Sequence, residues 1–311
     1  MVAGQCTVHM WGLNERASLI SPESVALYWF LNGYYSKLRK DTTRVEIVFS
    51  NNTDLSPNEE LPLLVQDARR ISGFVNIVDY LMSDEESEKD TVGNTLLQSS
   101  LLQFTSSDLS VLTDYQLYLN KTNYDTFTRR TFCRLLSWPM WYNTPLHYRA
   151  VARERCQDLL GDLDSDDECE PPGSQLETAE LTQSKTFKIA QQIKKQGKKE
   201  LQNAKNNLHY LSKLSEHLKL WIQVRERAQS DRVIPADLLM WANIYVQLQL
   251  PDSDKVANHL SQTLGSDFFN TLQKQLDLCS NLEPVVSQRA PSFREQGNVL
   301  MSVYNIAAKY L

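Results

Sequence analysis

Histidine and cysteine are the side chains best suited to hold a metal or to move a proton near neutral pH, and their spacing here argues against both uses. The histidines stand at 9, 147, 209, 217 and 259, with no HExxH pair and no Cys/His arrangement at zinc-ligand spacing. His209 and His217 fall on one expected helix, two turns and about 12 Å apart, too far to share an ion directly. The cysteines at 6, 133, 156, 169 and 279 form no CxxC pair, so reduced thiols in a cytosol-facing protein are expected. Glycine, at 10 residues, supplies no phosphate-cradling loop. No catalytic residue, metal ligand or cofactor is assigned on these grounds.

The remaining groups suit partners rather than reactions. Trp138-Pro139-Met140-Trp141-Tyr142 packs aromatics and a methionine around a proline; Trp138, Met140, Trp141 and Tyr142 either plug the core or form a contact surface, since these types are enriched at interfaces. Residues 185–199 carry six lysines and no acid. Lys188, Lys194, Lys195, Lys198 and Lys199 form either a solvated helix face or an electrostatic dock for an acidic segment or an anionic membrane. Residues 291–311 suggest a last helix with one apolar stripe, including Phe293, Leu300 and Tyr304. That stripe belongs either to the core or to a neighbour.

These groups need a frame of ordinary size. The chain has 311 residues, 41% hydrophobic content and a net charge of −6, which fits two globular domains and argues against a nucleic-acid binder. No apolar run reaches the ~20 residues of a membrane span, and the N-terminus lacks the basic flank and apolar core of a secretory signal. Val8–Trp11 reads as a strand. Ser21-Pro22-Glu23 then starts a helix through Leu31, with serine as cap and proline at the first helical place. Arg44–Phe49 reads as a strand parallel to the first, and 51–60 as a degenerate second helix. Leu63–Val65, a turn at 67–69, and Arg70-Ile71 make a hairpin. Ser72 is a candidate cap for a helix burying Phe74, Val75, Ile77, Val78 and Leu81.

After an acidic linker at 84–93, only helices are expected. One ends at Trp138-Pro139, another starts at Thr144-Pro145, and a mobile acidic loop covers 162–175. Leu201, Ala204, Leu208, Leu211, Leu218 and Ile222 approach a three-four repeat, best read as packing inside the domain. Ile234–Leu250 is apolar on nearly every face and should be the buried central helix. The fold class is α/β plus all-α, with domains at 1–83 and 94–311.

The strand–turn–strand–helix of residues 61–81 is the second half of a thioredoxin-like domain and resembles glutathione-transferase-like proteins, whose proline at this place is usually cis. The resemblance implies an N-terminal thioredoxin-like domain and a C-terminal helical domain. It also implies a thiol-activating hydroxyl after the first strand, for which Ser18, Ser21 and Ser24 are the candidates. The polar pair that holds the glutamyl end of glutathione is replaced by Gly73 and Phe74, so the expectation is a protein without catalysis. Phe74 is expected to put its ring where a polar substrate would sit. A transferase-like enzyme with an atypical site is the alternative.

Longer words narrow the resemblance. ASLISPESVAL (17–27), IVFSNNTDLS (47–56), LTDYQLYLN (112–120), PMWYNTPL (139–146), SKTFKIA (184–190), DLLMWANIYVQLQLPD (237–252) and FREQGNVLMS (293–302) resemble the metaxin-like subunits of the mitochondrial sorting and assembly machinery, in their yeast form. That resemblance implies a non-catalytic subunit on the cytosolic face of the outer membrane, attached through partners. It would cap the membrane-embedded barrel subunit beside a second metaxin-like subunit and support release of β-barrel precursors. It would also reach the outer-membrane translocase through an acidic receptor domain.

Overall fold

A computed structural model describes residues 6–36, 45–82, 92–160, 185–227 and 232–297, with backbone alone for 92–95, 158–160, 185–196, 198 and 199. The expected linker lies mostly, and the acidic loop wholly, outside the described residues, as do Leu300 and Tyr304.

The N-terminal half forms in the expected order. Strand β1 (Cys6–His9) lies two residues earlier than the apolar pattern suggested, because Trp11 opens a small hairpin, β2 (Gly12–Leu13) and β3 (Arg16–Ala17). Helix α1 (Pro22–Trp29) starts where Ser21 accepts a hydrogen bond from the Ser24 N–H at 3.2 Å, and it continues through Phe30–Tyr35 in wider, π-type turns. Strand β4 (Val45–Val48) is parallel to β1, as a helical crossover requires. Only a single 3₁₀ turn, Thr53–Leu55, remains of the degenerate second helix. Strands β5 (Leu63–Gln66) and β6 (Arg69–Ser72) form the hairpin antiparallel to β1, and the Leu61-Pro62 bond before them is cis. Helix α2 (Phe74–Met82) buries Phe74, Ile77, Val78 and Leu81 as the periodicity predicts.

The helical half packs around one buried element. Helix α3 (Val92–Phe104) runs on through 105–119 in alternating α and π-type turns, and helical residues 121–135 follow. A second cis bond, Trp138-Pro139, separates these from α4 (Met140–Leu160). Here the expected start at Thr144 is wrong. The helix begins four residues earlier on the carbonyls of Ser137 and Pro139, and Pro145 lies inside it. Met140 and Trp141 pack against the core, which favours helical backbone ahead of the proline although Pro145 removes one ladder bond.

Helix α5 (Lys185–Arg227), of 43 residues, is ~65 Å long. Helix α6 (Pro235–Leu248) is the predicted central helix, with 11 buried residues. Ile234 cannot supply a capping side chain, but Asp237 reaches back to the Ile234 N–H at 2.9 Å and takes Arg225 as a bidentate partner at 2.8 and 3.0 Å. Helices α7 (Ser253–Leu264) and α8 (Ser266–Ser280) meet at Gly265, whose φ of +91° suits glycine.

The two halves share one continuous core. Helix α1 is wedged between the sheet and α6, and Trp29 meets Tyr245 edge-on at 5.4 Å. The C-terminal segment then returns to the N-terminal sheet, a feature absent from the sequence expectation. Strand β7 (Ser287–Arg289) pairs parallel to β4, giving the order β6-β5-β1-β4-β7. Buried Asn32 fastens it: its carbonyl accepts the Val285 and Val286 N–H groups at 2.8 and 3.0 Å, while its amide donates to the Tyr28 carbonyl. Arg289 bridges Glu46 at 2.7 Å and Glu295 at 2.6 Å. The Arg289 hydrogen bonds hold the Glu295 carboxyl down to about 2, so this clasp is complete above the ordinary carboxylate range and opens only in strong acid. Residues 293–295 form a turn rather than the start of a helix, because the chain must leave the sheet edge while Glu295 takes the Ser292 N–H.

Replacing Asn32 with alanine leaves two strap N–H groups without their acceptor. We expect a loss of about 1–3 kcal/mol, read by urea unfolding, together with faster proteolysis between residues 281 and 297.

Candidate interaction surface

The place where a substrate grip and a thiol-activating serine were expected lies at the first turn of α1, the loop before β5 and the start of α2. The hydroxyls of Ser21 and Ser24 have structural roles there, and Ser18 contributes its backbone N–H. Ser21 caps α1, buried Ser24 accepts the Trp11 N–H at 3.3 Å, and the Ser18 N–H closes the β2–β3 hairpin on the Trp11 carbonyl at 2.9 Å. Ser72 is not the cap of α2. It ends β6, and its hydroxyl accepts the Asn58 side-chain amide at 3.0 Å. The turn into α2 falls to Gly73, with φ of +83° and its N–H on the Pro62 carbonyl at 2.9 Å.

The group at the mouth of α2 comes from 51 residues upstream. Glu23 Oε2 accepts the Phe74 N–H at 3.0 Å. A carboxylate here meets the positive end of the α2 dipole, where a bound acid group would otherwise sit. Burial nevertheless pushes the Glu23 carboxyl above its ordinary range, against the opposing effect of that N–H, with Glu60 adding to the rise. Phe74 does not fill the pocket as expected. Its ring is fully buried and meets Phe30 edge-on at 6.4 Å, because the first residue of an amphipathic helix follows the apolar stripe inward. Asp114, paired with Arg155 near Glu23, is likewise raised by burial, to about 6.

The surface candidates divide cleanly. Of the aromatic turn, Met140 and Trp141 pack on the core, whereas Trp138 is 73% exposed and Tyr142 52% exposed. Leu146, one helical turn beyond Tyr142, is also exposed. Phe293 is 63% exposed on its turn. The lysine tract forms the N-terminal part of α5, but the side chains of Lys188, Lys194, Lys195, Lys198 and Lys199 lie outside the described residues.

The expected in-domain packing of the three-four repeat holds only in its second half. Leu218 is buried and Leu211 and Ile222 are half-buried against the core, but Ala204 is exposed and Leu201 and Leu208 are 73% and 69% exposed; the buried face of α5 runs instead through Tyr210, Leu214, Leu218 and Trp221. Helix α5 therefore carries an exposed apolar pair two turns apart just after the lysines, while Asn207, on the same stretch, accepts the Tyr115 hydroxyl at 2.8 Å. Among the described residues no group of three potential metal ligands converges, and no helix is long and apolar enough to cross a membrane.

Two family models cover most of the chain. Residues 24–149 match a family described as outer mitochondrial membrane transport complex protein, and residues 163–310 match the Tom37 C-terminal domain. The chain belongs to the Tom37 family. No curated protein matches it. Tom37 proteins are metaxin-like, with a glutathione-transferase-like fold, and the sheet-plus-helices architecture described above is that fold. The family is a component of an outer mitochondrial membrane transport complex. Sequence reasoning located the aromatic turn and the basic tract but missed Glu23, Asn32 and the β7 strap. Glu23 carries no local signal beyond a favourable acid in a first helical turn.

Glu23→Gln keeps an acceptor for the Phe74 N–H and removes the buried charge. Because the folded carboxyl is raised, its ionisation weakens the fold as pH rises. The glutamine variant should therefore match or exceed the parent in thermal midpoint at pH 7, with the advantage shrinking as pH falls towards ~4.5 and absent below it. Glu23→Ala orphans the N–H and should cost about 1–3 kcal/mol.

Proposed function

We propose that this Tom37-family chain is a non-catalytic docking subunit of the mitochondrial sorting and assembly machinery. It sits on the cytosolic face of the outer membrane and is attached through partners. It caps the membrane-embedded barrel subunit beside a second metaxin-like subunit, stabilises the complex, and supports insertion and release of β-barrel precursors. The observation that carries this reading is Glu23 on the Phe74 N–H: an anion site that a transferase would offer to its substrate is consumed by the chain itself. Fold does not fix function, and here the binding chemistry has moved outward.

The lysine-rich N-terminal part of α5 supports the second half of the reading. Its lysines suit an acidic receptor domain of the outer-membrane translocase, since complementary charge steers association and sets its salt dependence. The exposed Leu201 and Leu208 add an apolar footing beside that charge.

Changing Lys194, Lys195, Lys198 and Lys199 together to glutamate should reduce co-isolation of the translocase at low salt at least several-fold, while the barrel complex survives on native gels. Unchanged co-isolation removes the receptor role. Migration of the parent chain apart from the barrel complex in mild detergent removes the docking role. Retention of the parent on immobilised glutathione, lost on mutation of Ser18 or Ser21, would favour the enzyme instead.

A further inference from the structure

Strand β7 leaves one edge of the sheet open. In the order β6-β5-β1-β4-β7 its inner edge pairs with β4, and among the described residues no strand pairs its outer edge. An open edge is a template for another extended chain, and proteins commonly blunt it with charge. The opposite edge, β6, is guarded in that way by Arg69 and Arg70, both exposed. The β7 edge is not guarded: it presents Ser287 and Gln288, and its one charge, Arg289, is consumed by Glu46 and Glu295.

A cleft of about 430 Å³ lies at the carboxyl ends of β4 and β7, within the size range of ligand sites. Phe49, Leu135 and Leu136 supply apolar wall, and Gln288 lines it from the middle of β7. Both ends of the Gln288 amide are shielded from solvent and lack a hydrogen-bond partner, as does the hydroxyl of buried Ser50 on the same cleft. Buried polar groups are normally paired. A donor and an acceptor held together on one amide have the complement of the N–H and C=O of a single extended residue. Beside them, the Asn51 amide already makes this type of pairing, accepting the Gly12 N–H at 2.8 Å and donating to the Gly12 carbonyl at 2.9 Å.

We propose that this cleft and the outer edge of β7 bind an uncharged, extended peptide segment of a partner protein. The segment adds as a sixth strand beside β7, turns the N–H and C=O of one residue onto the Gln288 amide, and places an apolar side chain against Phe49 and Leu136. This is recognition by strand addition, in which the main chain supplies affinity and a pocket supplies selectivity. The site is separate from the docking surfaces proposed above, so its failure leaves the co-isolation result standing.

The probe is a capped octapeptide alternating leucine and serine, titrated by fluorescence anisotropy into the full-length chain. A second peptide of the same sequence is N-methylated on alternate amides. The parent peptide should bind saturably and slow hydrogen exchange at residues 286–290, and the N-methylated peptide should bind at least tenfold more weakly. Gln288→Leu should also weaken binding at least tenfold while leaving the thermal midpoint unchanged or higher, because it removes orphaned polar atoms rather than a structural bond. Equal binding of the two peptides, unchanged exchange at 286–290, or undiminished affinity of the leucine variant would each overturn the proposal. So would crosslinking of a photoreactive group at Leu136 only to the chain's own residues 298–311.

Discussion

The burial of α1 on every side is the constraint from which the rest of the structure follows. Seven of the eight residues from Pro22 to Trp29 are buried, and a helix with no solvated face must be enclosed by two layers. One layer is the sheet, and the other is α6, itself apolar nearly all round. Fully burying each large side chain is worth roughly 1.5–3 kcal/mol. The pair Trp29–Tyr245 lies where these layers meet, so neither half completes its core without the other. The β7 strap reinforces the same union from the other end of the chain, closing the sheet over Asn32 and Arg289.

Polar groups inside the helical half restrict how those layers meet. Asn243 and Gln247 on α6 reach Ser110 and Thr113 across the core, and Gln247 also accepts the Tyr210 hydroxyl of α5. An apolar helix alone tolerates rotation about its axis. A buried amide that must find its partners does not, since leaving it unpaired costs more than the bond itself returns. This network fixes which face of α6 meets α5.

The chain belongs to a family of outer mitochondrial membrane transport complex proteins, and the start of α2 is closed by the chain's own residues: Glu23 takes the Phe74 N–H, Gly73 makes the turn and Phe74 turns into the core. Meanwhile large apolar side chains that could have been buried stand in solvent at Trp138, Tyr142, Leu201 and Leu208.

Periodicity and local chemistry in the sequence determined the element order, the parallel β1–β4 crossover, the capped start of α1, the hairpin before α2 and the buried central helix. Each depends on residues within a few positions of one another, and the long matching words carried the family. Tertiary structure alone decided what depends on distant pairs. Glu23 finds Phe74 across 51 residues and Asn32 finds Val286 across 254. The strap adds a strand whose three residues, Ser287–Arg289, carry no apolar alternation. The same holds for the repeat along α5: spacing placed Leu201 and Leu208 on one face, but whether that face meets the core depends on which side of α5 the other helices pack, which no local pattern encodes.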